Sequence, residues 1–536
     1  MADVIVLGTG AGGLTAALVA RRAGASAAVY EKSERVGGTS AWSGGMIWIP
    51  NNDHIRRMEV PDSEEEATRY LLSMSHGLMD EALVRAFVRT GPEMVRWLEA
   101  NTVVKFQPVG AFPDYHPEHP GGKPQGGRSL ECPMFSFREL GEWAKRVNVG
   151  DFYDEVITTM GETPLGQPMP TTIPADELAR RRKNDERGRG LALVGRLLRA
   201  CLDAGVEIHT GRRATELVKE RDAVVGVRFE DGGEERASGG VVIATGGFEW
   251  NDQLVAAFLR GPMTSRVSPR TNTGDGLVMA MKAGAALANM REAWWLPVSE
   301  IPGPSGARSI LITCERTFPG SIMVNREGKR FTNEAANYNA FGAAFHEMDV
   351  ARFQYRNLPC WLVFDQGYYD AYGFGWDASP SKPAPEWLTR ASSLSALAKE
   401  LGIPDHALQE TVARWNAMVE AGRDTEFLRG DSANDTWWGD PAKKGTRAAT
   451  LGKLAKPPFY AVEVRSGCLG TKGGPRVDAN ANVLGHDGAP IPGLYAIGNA
   501  MGSPMGMTYG GAGGTIAPGM VFGFLAGRHA AARTPR

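Results

Sequence analysis

The N-terminal stretch constrains the fold of this chain more than any other part. Asp3-Val4-Ile5-Val6-Leu7 is a short apolar run of the kind that forms a strand buried on both faces. Gly8-Thr9-Gly10-Ala11-Gly12-Gly13 follows at once, residues 14–23 read as a helix, and Gly24 ends it. Ala27-Ala28-Val29-Tyr30 reads as a second strand with Glu31 and Lys32 at its end. Strand, glycine turn, helix, strand and acid in this order make a βαβ dinucleotide-binding unit. Each part has a physical task. Gly8 permits the tight turn, Gly10 lets backbone approach a pyrophosphate, and Gly13 lets the helix lie close to the sheet. Ala11 and Gly12 open the helix, whose free N–H groups and partial positive charge favour phosphate. Glu31 is placed to accept hydrogen bonds from ribose hydroxyls. A lone GxGxxG carries little weight, but here every element of its context is present at the right spacing.

The chain has 536 residues, enough for several domain-sized units or for one large α/β body with an insertion. Hydrophobic residues at 43% and charged residues at 22% exclude a disordered chain, a collagen and a multi-span membrane protein. With 59 Lys+Arg against 61 Asp+Glu, there is no electrostatic case for nucleic acid. Cys132, Cys201, Cys314, Cys360 and Cys468 form no CxxC pair, so neither a disulfide framework nor a zinc site is expected, and no metal is assigned. No charged leader precedes the first strand, and no stretch reaches about 18 uninterrupted apolar residues. The expectation is a cytoplasmic protein, with peripheral membrane contact left open.

Ser63 and Glu66 fit a capping box ahead of a helix through Leu71 and Leu72. Leu83, Phe87, Met94, Trp97 and Leu98 predict two helices interrupted near Pro92, with Trp97 in the core. The Pro-, Gly- and His-rich stretch 108–128 reads as an ordered loop in which His116 and His119 have no special role. Arg180-Arg181-Arg182-Lys183, flanked by acids, reads as a solvated face, with anionic lipid as the alternative partner. A helix at 191–202, a strand at 206–209, a hairpin over 217–229 and a buried strand at 241–244 follow. The βαβ rhythm breaks from about 280 to 450, where 323–331 reads as a hairpin and Asp275 as a helix cap. It returns with a strand and turn at 493–499, a glycine loop at 510–514 and a closing helix over 515–531. The predicted fold class is α/β. A Rossmann-like, doubly wound domain spans 1–280 and 456–536, and an inserted α+β catalytic domain spans 281–455.

Val36-Gly37-Gly38-Thr39-Ser40-Ala41-Trp42-Ser43-Gly44-Gly45, with Ala244-Thr245-Gly246-Gly247 and Gly498-Asn499, resembles the fumarate reductase/succinate dehydrogenase flavoprotein superfamily. The resemblance implies FAD, with its pyrophosphate on the Gly8–Gly13 turn and its ribose on Glu31. It implies that the flavin is lined by Gly38, Thr39, Ser40, Gly44, Gly45, Ala244, Thr245, Gly246 and Asn499, and by Gly514-Thr515-Ile516. Members with a covalent flavin carry a His just before their Gly-Gly pair. Ser43 stands there, so the FAD is expected to be noncovalent.

Fumarate and succinate are dianions, whose burial demands fixed cations. The C-terminal loop, residues 499–514, contains no Arg, Lys or His; Met501, Met505, Met507 and Tyr509 stand there instead. An apolar, neutral substrate fits that lining, with the methionines read either as pocket wall or as core. Arg330 is assigned to the hairpin rather than to a dicarboxylate. The loop is similar to that of the 3-ketosteroid dehydrogenases, in which a Tyr four residues before a Gly binds the C3 carbonyl; Tyr509 and Gly513 have that spacing. The same resemblance makes Tyr338 the general base and gives Tyr115, in Phe112-Pro113-Asp114-Tyr115, a helper role.

The reaction this resemblance implies is 1,2-desaturation of a 3-ketosteroid. It needs a polarised ketone, a base for the α-proton and a flavin to take hydride from the β-carbon. Tyr509 O–H and Gly513 N–H would polarise the ketone, and Tyr338 would take the proton. A free phenol has a pKa of about 10, so bringing Tyr338 to neutrality needs about 4 kcal/mol, part of it expected from a Tyr115 hydrogen bond. An external acceptor, a quinone in this reading, would reoxidise the flavin. The alternatives are a C4–C5 (Δ4-(5α)) desaturase or another cyclic-ketone desaturase, a fumarate-type reductase, and a flavin-bound protein without turnover.

Overall fold

The computed structural model describes residues 2–150, 156–166, 173–303, 306–375 and 378–534. Ala2–Leu7 lies between Ala27–Tyr30 and Glu234–Ile243, parallel to both. Glu207–His209 extends one side in parallel, and Pro490–Ala496 extends the other. Val4, Ile5 and Val6 are fully buried, as a parallel strand covered on both faces requires. The expected hairpin forms from Ala214–Glu220 and Ala223–Phe229 and pairs with the start of Glu234–Ile243.

Helices Ala11–Arg22 and Ile516–Ala532 cover this sheet and pack on each other through a row of glycines. A Cβ on Gly12 would lie 2.6 Å from the Gly519 carbonyl oxygen, and one on Gly523 2.5 Å from that of Gly12. The closing helix is thereby drawn onto the cofactor-binding helix, which brings the C-terminal loop to the same end of the sheet.

The second sheet is built around Phe459–Thr471, antiparallel to both Ala293–Gly303 and Cys360–Asp365. Gly306–Leu311 and Ser321–Asn325 flank these two strands. Ser265–Arg266 and Phe459–Thr471 lie outside 281–455 in sequence yet belong to this sheet. Thr471 also reaches the first unit, where its hydroxyl accepts from Phe248 N at 3.1 Å.

Several local expectations are corrected. Pro92 lies inside one continuous helix, Glu81–Asn101, because Phe87, Met94 and Leu98 on either side of it are all buried in the same core. Trp97 is half-buried against Phe524. Ser63 caps its helix from the Glu66 N–H side only, because the Glu66 carboxylate is taken by Lys123. The stretch 323–331 is not a hairpin. Asn325 turns the chain, and Arg330 is drawn into a buried ion pair with Glu334 and Asp424. Ser321–Asn325 therefore pairs with Cys360–Asp365 instead. Gly274, not Asp275, caps the helix Asp275–Lys282; the Asp275 carboxylate instead binds Lys32 and Arg213. The face at 180–183 is only partly solvated, since Arg181 is buried against Glu162 and Glu177.

Candidate active site

A continuous cavity of about 1160 Å³ runs from the Gly8–Gly13 turn to a cluster of three tyrosines. All the expected cofactor residues line it except Gly514. Gly514 packs beneath Tyr509 instead, where a Cβ would lie 3.0 Å from the ring.

The phosphate end has the shape its sequence requires. A Cβ on Gly13 would lie 2.1 Å from the Gly8 carbonyl oxygen, so helix and turn touch backbone to backbone. A Cβ on Gly10 would meet nothing closer than Ser40 Oγ at 3.5 Å, which leaves that backbone open to the cavity. Glu31 braces the turn as well as facing the cavity: Thr9 Oγ1 donates to Oε2 at 2.7 Å and Ser33 N to Oε1 at 3.0 Å. A carboxylate has about four acceptor sites, so capacity remains for ribose hydroxyls. Thr245 Oγ1 is buried, lines the cavity and has no protein partner. Lys32 is tied to Thr273 and Asp275. These features fit a dinucleotide lying along the cavity.

Three separate segments supply the tyrosines. Tyr115 sits in the loop after Val109, where its N–H donates to the Gly510 carbonyl at 3.0 Å. Asp114, beside it, is clamped by Trp48 Nε1 and Arg128 Nη1, each donating at 2.7 Å. Tyr338 begins a short 3₁₀ turn, Tyr338–Ala340, capped by Asn337, whose Oδ1 accepts from Asn339 N at 2.8 Å. Tyr509 lies in the glycine loop. Gly513 there has φ +102°, and a Cβ would strike the Ile47 backbone at 2.6 Å, so only glycine fits. Tyr115 and Tyr338 place their hydroxyl oxygens 3.2 Å apart. Ring centroids are 4.9 Å apart for Tyr115–Tyr509 and 5.5 Å for Tyr338–Tyr509, all edge-on.

Burial pushes the Tyr115 and Tyr338 phenols well above the ordinary value. Burial dominates at Tyr338, the neighbouring phenols of Tyr115 and Tyr509 oppose a charge there, and the hydrogen bonds that Tyr338 donates to them favour its neutral form. Tyr509 differs. Burial raises it, but the Thr515 hydroxyl, Tyr338 and the Gly513 N–H favour its ionised form. Tyr509 and Gly513 line the same cavity.

The methionines of the C-terminal loop are not the cavity wall. Met501 and Met505 are fully buried in the core, and the lining methionines are Met46 and Met160. Trp438, which sequence reasoning passed over, lines the cavity and packs edge-on against Tyr338. Lys472 was likewise given no role. It is fully buried, donates to the Thr508 carbonyl at 2.7 Å, and lies 4.1 Å over Trp294, which packs on Tyr509. Burial pushes its pKa down to about 7. Asn272, also missed, links the Thr39 hydroxyl to the buried Glu249 carboxylate. No local motif marks these residues; each is defined by what it meets across the fold.

A dinucleotide cleft that opens onto a pocket of buried phenols is an arrangement that suits a flavoprotein oxidoreductase. The family described as FAD binding domain matches residues 3–516, and the chain belongs to it. The chain is 41% identical to the 4-oxocyclohexanecarboxylate 2-dehydrogenase of Sinomonas cyclohexanicum, over 98% of this chain and 92% of the relative. It is 38% identical to the 3-oxosteroid 1-dehydrogenase of Mycobacterium tuberculosis, over 99% and 98%. The crystal structure of 3-ketosteroid Δ1-dehydrogenase from Sterolibacterium denitrificans, in complex with 1,4-androstadiene-3,17-dione, matches with a TM-score of 0.89 and 34% identity over 99% of both chains. The protein is an FAD-dependent dehydrogenase.

Proposed function

We propose that the protein dehydrogenates a 3-ketosteroid at C1–C2, with the three-tyrosine pocket as its active site and FAD held without a covalent bond. The observation that carries this reading is the meeting of Tyr115, Tyr338 and Tyr509 in one buried pocket, with Gly513 in the same cavity wall. Bound FAD supplies the two-electron acceptor. Tyr509 O–H and Gly513 N–H hold the ketone oxygen and stabilise negative charge as it develops. Tyr338 takes the α-proton, and its ring, with Trp438, excludes water. Tyr115 holds the Tyr338 oxygen in place through the 3.2 Å contact. Arg330 takes no part, because Glu334 and Asp424 neutralise it away from the cavity. This, with the cation-free C-terminal loop, disfavours a fumarate-type reduction.

A second reading is a smaller ring ketone, favoured by the 41% identity to an enzyme named for 4-oxocyclohexanecarboxylate. The test is anaerobic mixing of the yellow protein with androst-4-ene-3,17-dione, with a 5α-saturated ketosteroid, and with 4-oxocyclohexanecarboxylate. Bleaching by the first, with the 1,4-diene as product, supports C1–C2 chemistry. Bleaching only by the second moves the reaction to C4–C5, and bleaching only by the third supports the small-ring reading. An external acceptor such as a quinone, and a cytoplasmic location, complete the proposal. No helix among the described residues is long and apolar enough to cross a membrane. Peripheral membrane contact would have to use groups other than Arg180 and Arg181, which are committed to Glu177, Glu186 and Glu162.

A further inference from the structure

The loop that carries Tyr115 continues into a tight turn with a second chemistry. The His119 N–H donates to the His116 carbonyl at 3.0 Å, closing a turn over Pro117 and Glu118. The turn puts both imidazoles and the intervening carboxylate on one side: a ligating atom from each of His116, Glu118 and His119 lies within 4.8 Å of the others. His116 Nδ1 is 3.7 Å from Glu118 Oε1, and the two rings are 5.8 Å apart. Ser432 Oγ donates to Glu118 Oε2 at 3.0 Å, which steadies the carboxylate from another segment. Two histidines and one glutamate are a ligand set for zinc with a position left open. Nitrogen ligands disfavour magnesium and calcium, which take oxygen.

The turn is wired to the tyrosines. His116 Nε2 is 3.4 Å from Asn337 Nδ2, and Asn337 Nδ2 also donates to the Tyr509 carbonyl at 3.4 Å. The Asn337 amide cannot be turned round, because its Oδ1 accepts the Asn339 N–H that caps the Tyr338 turn. His116 Nε2 is therefore an acceptor, and its proton sits on Nδ1, facing Glu118. A metal at Nδ1 displaces that proton. The imidazole then carries its one proton on Nε2, and an N–H confronts the Asn337 amide N–H. Asn337 has to move, and it is the residue that links Tyr338 to Tyr509.

We propose that His116, Glu118 and His119 form a zinc-binding site whose occupancy slows the enzyme by withdrawing Asn337 from the active-site tyrosines. The slowing rests on the roles proposed above for Tyr338 and Tyr509; the binding does not. The test titrates zinc chloride into chelator-treated, FAD-loaded protein by calorimetry, with single-turnover flavin reduction measured alongside. One zinc per chain at micromolar affinity is expected. The rate should fall by about tenfold, within the range for coupled sites. His119→Gln and Glu118→Gln should each keep the zinc-free rate within about twofold, as surface changes do. Both should lose saturable binding and inhibition, and magnesium should do nothing. Retained flavin content and melting temperature confirm that each variant is folded. Non-saturable binding, or equal binding in both variants, overturns the site as adventitious. Saturable binding with no change in rate overturns the link through Asn337. If no ketone bleaches the flavin, the proposed function fails, and calorimetry alone still decides the zinc site.

Discussion

Replacing Tyr338 with Phe removes one oxygen and leaves a ring that still packs against Tyr115, Tyr509 and Trp438 at 5.5, 5.5 and 6.3 Å. The cavity wall stays in place, so substrate affinity should hold. The loss falls on proton transfer, where a positioned base is worth about 10²- to 10⁴-fold, or about 3–5 kcal/mol. The pH dependence gives a sharper test. Burial holds the Tyr338 phenol well above its ordinary value, so it is neutral across the usual assay range. Below that pKa the tyrosinate fraction rises about tenfold for each pH unit, and the rate through it should follow. Phe has no such group, so the slope should vanish with the rate. The assay is anaerobic single-turnover flavin reduction from about pH 6 to about pH 9, on native protein and variant. A flat native profile, or a variant within about tenfold of native, refutes Tyr338 as the base. Tyr115 loses its 3.2 Å partner in the variant. A buried hydroxyl left unpaired costs about 1–3 kcal/mol, which a thermal melt separates from the kinetic effect.

Tyr509→Phe should lower the same single-turnover rate by about 10²- to 10³-fold, the cost of one oxyanion donor. A loss confined to substrate affinity would assign Tyr509 to binding alone. Gly13→Ala puts a methyl 2.1 Å from the Gly8 carbonyl oxygen. The purified variant should carry far less FAD, read from its absorbance ratio, and full flavin content would refute the close helix–turn contact. Arg330→Met leaves Asp424 buried without its guanidinium and Glu334 with Arg429 alone, and breaking such a pair costs about 3–5 kcal/mol. Burial opposes ionisation of both carboxyls, but Arg330, helped by Arg429 at Glu334 and by backbone N–H groups at Asp424, holds their pKa values low. This stability is present above the ordinary carboxylate range and is lost as pH falls through the depressed values. The gap in melting temperature between native protein and variant should therefore be widest near neutrality and narrow in acid. A gap that does not change with pH would count against the pairing.

The parts of the fold that were legible are those whose partners lie close by in the chain. The turn at Gly8–Gly13 joins a strand and a helix that touch directly, and the hairpin over 217–229 pairs with itself. Phe459–Thr471 was not legible, because its partners, Ala293–Gly303 and Cys360–Asp365, are distant in sequence. The stretch 323–331 had the composition of a hairpin, but a buried charge decided it. Once Arg330 is committed to Asp424, the chain after Asn325 cannot fold back as a strand. Pro92 failed as a helix breaker for a related reason: the apolar residues on both sides of it share one core.

In the site the residue types were legible and their supports were not. The stretch 510–514 was read only as a glycine loop, and the structure gives several of its glycines a definite task. Cβ atoms on Gly510 and Gly511 would meet Trp48 at 2.9 and 2.3 Å, and one on Gly513 would meet Ile47. These glycines let the loop lie against the Ile47–Trp48 strand, and Trp48 in turn clamps Asp114 beside Tyr115. One contact therefore sets two of the three tyrosines. The Gly510 carbonyl extends the linkage by accepting from both Tyr115 N and Tyr70 Oη. A carbonyl site of this kind works only if its donors are already in place when charge develops, since reorganising them would consume the stabilisation they provide. The glycine loop meets that condition through packing against its own protein, and its spacing alone could not have revealed which wall it packs on.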